Sequence, residues 1–157
     1  MPLIHNVCSH LQNAFRARLR ATCVPQSRLN EGLLTLLRDQ GFVSSVMHGT
    51  HEGPHIATDQ IAHRRLWVNL KYTGAALDTP VLSAMKTISK PSRRVFASHD
   101  ELAEVAAGRK CRRLQFLGLK TPLAPGEVVA VSTAQGVLDL HTAVEKGVGG
   151  EVLCTIS

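Results

Sequence analysis

The last quarter of the chain, Val129 to Ile156, reads V-A-V-S-T-A-Q-G-V-L-D-L-H-T-A-V-E-K-G-V-G-G-E-V-L-C-T-I. An apolar run enters Ser132-Thr133-Ala134-Gln135-Gly136, and a helical stretch follows. Gly147-Val148-Gly149-Gly150-Glu151 then leads into a final apolar run. Small hydroxyl residues and glycines thus occupy both strand–helix junctions. Such junctions allow close backbone approach and present hydroxyls and amides for hydrogen bonding. No strong nucleophile is paired with a base there, so the segment reads as a recognition surface rather than a reaction centre.

The rest of the chain mixes helical and extended periods. Ile4, Val7, Leu11, Phe15 and Leu19 recur at three- and four-residue spacing, which predicts a helix over Ile4 to Arg20. Pro25 breaks the chain. Ser27 is placed to cap a second helix, Arg28 to Gln40, with Leu29, Leu33, Leu36 and Leu37 on its buried stripe and Gly41 at its end. Phe42 to Met47 reads as a strand, His48 to Gln60 as a polar hairpin loop, and Leu66 to Tyr72 as a half-buried strand. A turn is expected at Thr73-Gly74 and Asp78-Thr79-Pro80, then a stretch from Val81 to Ile88 that reads as extended, with a helix as the alternative. Pro91 turns the chain into a short strand, Arg94 to Ala97. Ser98 and Glu101 have the spacing of a capping box for a helix through Ala107, closed by Gly108. The residues alone support a mixed α/β chain. The natural division lies near Ser89 to Ser92, giving lobes 1–88 and 89–157.

Charge narrows the partner. The net charge is +6 over 157 residues, which favours a polyanion. From Lys86 to Lys120 nine Lys and Arg face three acids, whereas the last 37 residues carry Lys146 against Glu127, Asp139, Glu145 and Glu151. Basic segments would hold phosphates while a neutral edge reads shape or bases. Aromatics are 4% of the chain, too few for a binder built throughout on base stacking. No apolar run approaches the roughly 18 residues of a membrane span. Cys8, Cys23, Cys111 and Cys154 are widely spaced without a C-x-x-C, so reduced thiols are expected rather than a zinc ribbon or disulfide framework.

Three constellations have a chemical reading that a simpler one outweighs. His48, His51 and His55, with Glu52, could bind a metal and serve a small hydrolase, but a solvated loop is the better reading. Ser98, His99 and Asp100 are triad residue types, yet contiguous residues cannot form a triad, and the capping box accounts for them. Asp139 beside His141 reads as a first-turn acid of the last helix. No cofactor, metal or small-molecule substrate is expected.

The C-terminal segment resembles the signature of the small-subunit ribosomal protein family S-eight, written S-T-S-K/R-G-V, a helix, then G-x-G-G-E and a strand. Ile88-Ser89-Lys90-Pro91-Ser92-Arg93-Arg94-Val95-Phe96 is similar to that family's V-S-R-P-G-x-R-x-Y. Asp100-Glu101-Leu102 resembles its D-E-L/I, and Val24-Pro25-Gln26-Ser27-Arg28-Leu29 with Gly41-Phe42 its M-P-x-S-K-L and E-G-F. Four motifs stand in the family's order from about Leu11 to Ile156. The resemblance implies a two-lobed α+β fold and a non-enzymatic constituent of the small ribosomal subunit. Its partners would be central-domain ribosomal RNA and neighbouring ribosomal proteins, with no membrane.

The implied RNA-binding residues are Ser132, Thr133, Gln135, Gly136, Gly149, Gly150, Glu151, Ser89, Lys90, Arg93, Arg94, Phe96 and Arg28. Glu151 would accept from a base or brace the glycine turn. Ala134 stands where the family has a third serine, Gln135 where it is usually basic, and Phe96 where Tyr is commoner. Residues 108–126 are longer than the family's usual connection by about fifteen. These departures, with the His-rich hairpin and an acid-poor N-terminus, point to a mitochondrial version in the matrix ahead of a bacterial or plastid one. The basic start reads as the first helix rather than as a cleaved leader. The rival is an extra-ribosomal RNA-binding regulator.

Overall fold

The computed structural model describes residues 4–74 and 79–157. It divides into two compact units, one ending at Ser83 and the other beginning at Ala84. The boundary precedes the expected one because the short strand Met85–Thr87 pairs with the last strand of the chain and so belongs to the second unit.

In the first unit, helix α1 (Ile4–Arg16) buries Val7, Cys8, Leu11, Ala14 and Phe15. It stops short of the expected Arg20. Arg18 takes a left-handed φ of 55°, Leu19 N donates to Ala14 O at 3.1 Å, and Arg18 N donates to Phe15 O at 3.1 Å. These are the two bonds of a Schellman ending, formed around an arginine where glycine is usual. Leu19 therefore leaves the apolar stripe and is 45% exposed. The chain then enters a strand that the sequence does not announce, β1 (Ala21–Pro25), with Pro25 at its end, where the missing N–H costs no ladder bond.

Helix α2 (Arg28–Asp39) is capped as expected: Asn30 N donates to Ser27 Oγ at 3.1 Å. Asn30 is itself buried, and its side chain donates to Pro25 O at 2.9 Å, tying the helix start to β1. Leu33, Leu34, Leu36 and Leu37 face the core. Strands β2 (Val43–Gly49) and β3 (Arg65–Leu70) form an antiparallel hairpin, and β1 pairs along the other edge of β3. Leu66, Val68 and Leu70 alternate inward as their spacing predicts.

The hairpin keeps His48 and Gly49 in the strand rather than in the loop. Trp67 Nε1 donates to Thr50 O at 2.7 Å and fastens the loop base. Among the described residues no three His, Cys, Asp or Glu side chains gather as a metal-sized group. Strands β4 (Tyr72–Thr73) and β5 (Thr79–Pro80) form a small ribbon. Asp78 of the expected turn lies outside the described residues.

The second unit is a sheet with helices. Strand β6 (Met85–Thr87) is followed by β7 (Phe96–Ala97) and by helix α3 (His99–Ala106). The Ser98–Glu101 capping box is complete, each side chain bonding the other's backbone N–H. Then come α4 (Arg112–Phe116), β8 (Val128–Thr133), β9 (Gly136–Asp139), α5 (Leu140–Glu145) and β10 (Gly150–Ile156). The sheet order is β6-β10-β8-β9, with β7 also on β10. Helix α4 falls inside residues 108–126, where no helix was expected. Leu114 and Leu119 hold that segment in a core shared with Leu102, Val105, Val129, Val131, Leu140 and Val152. Strand β9 likewise replaces the start of the expected helix.

None of the four cysteines forms a disulfide, and Cys8, Cys111 and Cys154 are buried. No helix among the described residues is long and apolar enough to cross a membrane.

The end of α1 makes a contrast that urea denaturation reads. Leu11→Ala, at a fully buried position, is expected to cost about 2–5 kcal/mol. Leu19→Ala is expected to stay within about 0.5 kcal/mol of the parent.

Candidate nucleic-acid interface

Three strands set the candidate site in one row. In the sheet register Glu151 of β10 lies opposite Ser132 of β8 on one side and Phe96 of β7 on the other. Directly opposed residues on neighbouring strands point to the same face. Val95 and Ala97 are buried while Arg94 and Phe96 are exposed, so β7 and the residues just before it present an aromatic ring and a cation on that face.

Glu151 holds the row together. Its carboxylate accepts from Ser89 Oγ and from Arg94 Nη1, at 3.1 and 3.0 Å to its two oxygens. Ser89 Oγ in turn accepts from Val95 N at 3.3 Å. Ser89 is buried and its hydroxyl is used inside the protein, so it positions Glu151 instead of facing a ligand. Within the protein Glu151 thus braces Ser89 and Arg94, and no bond from its carboxylate to the glycine turn is seen among the described residues.

The glycines also have an internal reason. A Cβ on Gly150 would lie 2.1 Å from Ser132 O, and one on Gly149 would lie 2.7 Å from Ala97 O. Their close approach is to the protein's own strands, and they serve the site by letting Ser132, Glu151 and Phe96 come level.

The β8–β9 turn is shaped by Thr133. Its Oγ1 donates to Gly136 O at 2.9 Å and accepts from Gln135 N at 3.2 Å. Gly136 takes φ 117°, a conformation that side-chain-bearing residues rarely adopt. Ala134, Gln135 and Gly136 are exposed at the tip. Ser132 is half-buried, and its hydroxyl has no hydrogen-bond partner among the described residues. It is left to donate or accept outward.

Around the row, Lys90 and Arg93 close a tight turn through mutual backbone bonds of 2.9 Å, and both are exposed. Arg93 Nη2 donates to Leu117 O at 3.1 Å. Arg113 Nη2 donates to Phe96 O at 2.9 Å, and its Nη1 meets Glu101 at 2.5 Å. Sequence reasoning missed this last tie, because a capping glutamate and an arginine twelve residues on form no recognisable pattern. Arg28 lies in the other unit, exposed at the first residue of α2.

The Arg113 hydrogen bond, supported by the bonds at Ser98, holds the Glu101 carboxyl below its ordinary 4.5 against the opposing effect of burial. A depressed folded-state value contributes stability above the unfolded value and loses it as pH falls through the folded one. The second unit is therefore expected to weaken below about pH 4.5 partly through Glu101, and Glu101→Gln should flatten the acid limb of the stability–pH curve. Gly150→Ala is expected to cost about 1–3 kcal/mol in denaturant melts, because its Cβ meets backbone that cannot rotate away.

The family model described as Ribosomal protein S8 matches residues 3–112. The chain is 42% identical over 164 aligned positions to small ribosomal subunit protein uS8m of Neurospora crassa, covering 98% of this chain and 96% of the relative. It is 39% identical to the uS8m protein of Schizosaccharomyces pombe, with 98% of each covered. It is 33% identical to small ribosomal subunit protein uS8 of Azorhizobium caulinodans, with 98% and 95% covered.

Proposed function

The chain belongs to the ribosomal protein S8 family, and on that premise we propose that it is a structural constituent of the small ribosomal subunit. It binds ribosomal RNA through the second unit and works by holding RNA in shape, not by catalysis. The observation that carries this reading is the row Ser132–Glu151–Phe96, with an outward hydroxyl, a braced guanidinium and a bare aromatic ring on one sheet face.

Each part has a separate task. Lys90 and Arg93, exposed on their turn, meet phosphates. Arg94 is held by Glu151, so fewer rotamers are lost when its remaining N–H groups meet RNA. The same pair cancels the carboxylate's charge where a bare anion would repel the backbone. Ser132 and the exposed tip Gln135-Gly136 reach toward base edges or ribose hydroxyls. Such edges are accessible where RNA departs from regular A-form pairing, since its deep groove otherwise hides them. Thr133 keeps the tip in shape.

We assign the RNA to the central domain of the small-subunit ribosomal RNA, in keeping with the C-terminal signature. Neighbouring small-subunit proteins complete the setting. The fungal relatives at 42% and 39% identity, whose names mark them as mitochondrial, support placement in the mitochondrial ribosome, and so in the matrix.

Sedimentation of tagged protein from a mitochondrial lysate, followed by sequencing of crosslinked RNA, tests the assignment. Co-migration with the small subunit and crosslinks on one central-domain helix are expected; protein left at the top of the gradient without ribosomal RNA would remove it. For purified components, Ser132→Ala is expected to weaken RNA binding roughly 2- to 10-fold, the equivalent of one hydrogen bond. Lys90→Ala with Arg93→Ala should lower the steepness of the salt dependence by about 1 to 2.

A further inference from the structure

The additional segment between α3 and β8 is the most one-sidedly charged part of the chain. From Val105 to Gly126 it carries Arg109, Lys110, Arg112, Arg113 and Lys120 and no acid. Arg113 is committed to Glu101. The other four form no ion pair among the described residues, and Arg109, Lys110 and Arg112 are exposed side chains on a seated backbone. The seat is apolar: Cys111, Leu114 and Leu119 are buried in the core of the unit. Ordering uncompensated cations on a fixed surface repays itself when an anion meets them.

Phe116, on the same short helix, is 86% exposed, and Phe96 is 56% exposed. These two are the only exposed Phe, Tyr or Trp side chains among the described residues. A single bare ring is ordinary. Here both lie beside guanidinium ties: Arg113 Nη2 bonds Phe96 O, and Arg93 Nη2 bonds Leu117 O next to Phe116. The segment is thus continuous with the turn that presents Lys90, Arg93 and Arg94. Paired RNA cannot use a ring, whereas an unpaired base stacks on one.

We propose that α4 and its flanks form a second RNA-binding surface for an unpaired stretch of the small-subunit ribosomal RNA. Arg109, Lys110 and Arg112 neutralise its phosphates, and Phe116 stacks a base. The proposal rests on the ribosomal reading above; Arg109, Lys110 and Arg112 stand at the end of the family match, which closes at residue 112, and Phe116 lies beyond it.

The test uses the full-length protein and small-subunit ribosomal RNA from the source cells, transcribed in vitro. The Arg109→Ala, Lys110→Ala, Arg112→Ala triple variant is expected to lower the slope of log affinity against log salt by about 2. Phe116→Ala should weaken binding roughly 5-fold or more, and ultraviolet crosslinking of the parent protein should join the Phe116 peptide to an unpaired nucleotide. Parent-like affinity and slope in both variants, while Ser132→Ala still weakens binding, would overturn this surface and leave the ribosomal reading standing. Failure of the parent itself to bind would remove both. Unchanged RNA affinity in Phe116→Ala with loss of a protein neighbour from the assembled subunit would also overturn it and assign the ring to a protein contact. All four positions are exposed, so loss of fold is not the expected cause of any difference.

Discussion

Strand β10 is bonded along both edges, to β8 on one and to β6 and β7 on the other. Almost everything the second unit does follows from how closely those neighbours approach its first residues. At Gly149 and Gly150 the carbonyls of Ala97 and Ser132 occupy the space a Cβ would need. Only glycine allows the three strands to meet there. The next residue, Glu151, then sits level with a serine and a phenylalanine and within reach of Ser89 and Arg94. A backbone constraint is thereby converted into a side-chain array.

The charge distribution of that array differs from what composition suggests. The C-terminal quarter is acidic in net count, yet the acid on the candidate face, Glu151, is 14% exposed and spends its charge on an arginine from β7's approach. Glu101 does the same for Arg113 while capping α3. The carboxylates are internal fixtures that aim cations. The face they support presents hydroxyl, amide, ring and guanidinium groups, a mixture suited to a partner with both phosphates and base edges.

Legibility in the sequence tracked how local each signal is. Three of the four expected leucines of α2, the alternation in β3 and the Ser98–Glu101 box are short-range patterns that the structure reproduces, while Leu34 takes the buried place expected of Leu29, which is half-buried. Strand β1 was hidden because α1 ends on Arg18 in a conformation that glycine normally signals. Helix α4 spans five residues and buries Leu114 alone, too little for a period to register. Strand β9 is four residues that share apolar content with the helix behind it. The contacts that build the site were beyond local reading. Ser89 and Arg94 meet Glu151 across 62 and 57 residues of chain. The likeness to a known signature named Ser132, Thr133 and the glycines, but it is the register that sets Ser132 level with Glu151, and the hydrogen bonds that give Thr133 to the turn and Ser89 to the carboxylate.

Both larger sheets place in their middle a strand made after all of its partners. Strand β3 separates β1 from β2, and β10 separates β8 from β6 and β7. During synthesis the earlier strands emerge with no neighbour to bond to, because they pair with the late strand and not with one another. The hairpin β8–β9 is the exception. Its tip, Thr133 to Gly136, can take shape while the rest of that sheet is still waiting for its centre. Closure of each sheet then waits on its central strand, and the longer-range pairings, β1 with β3 and β6 and β7 with β10, are of the kind that forms slowly and leaves strand edges open in the interim. Until β10 is made, the inner edges of β6, β7 and β8 stay open to any other strand, and those edges are where such a chain is exposed to mispairing.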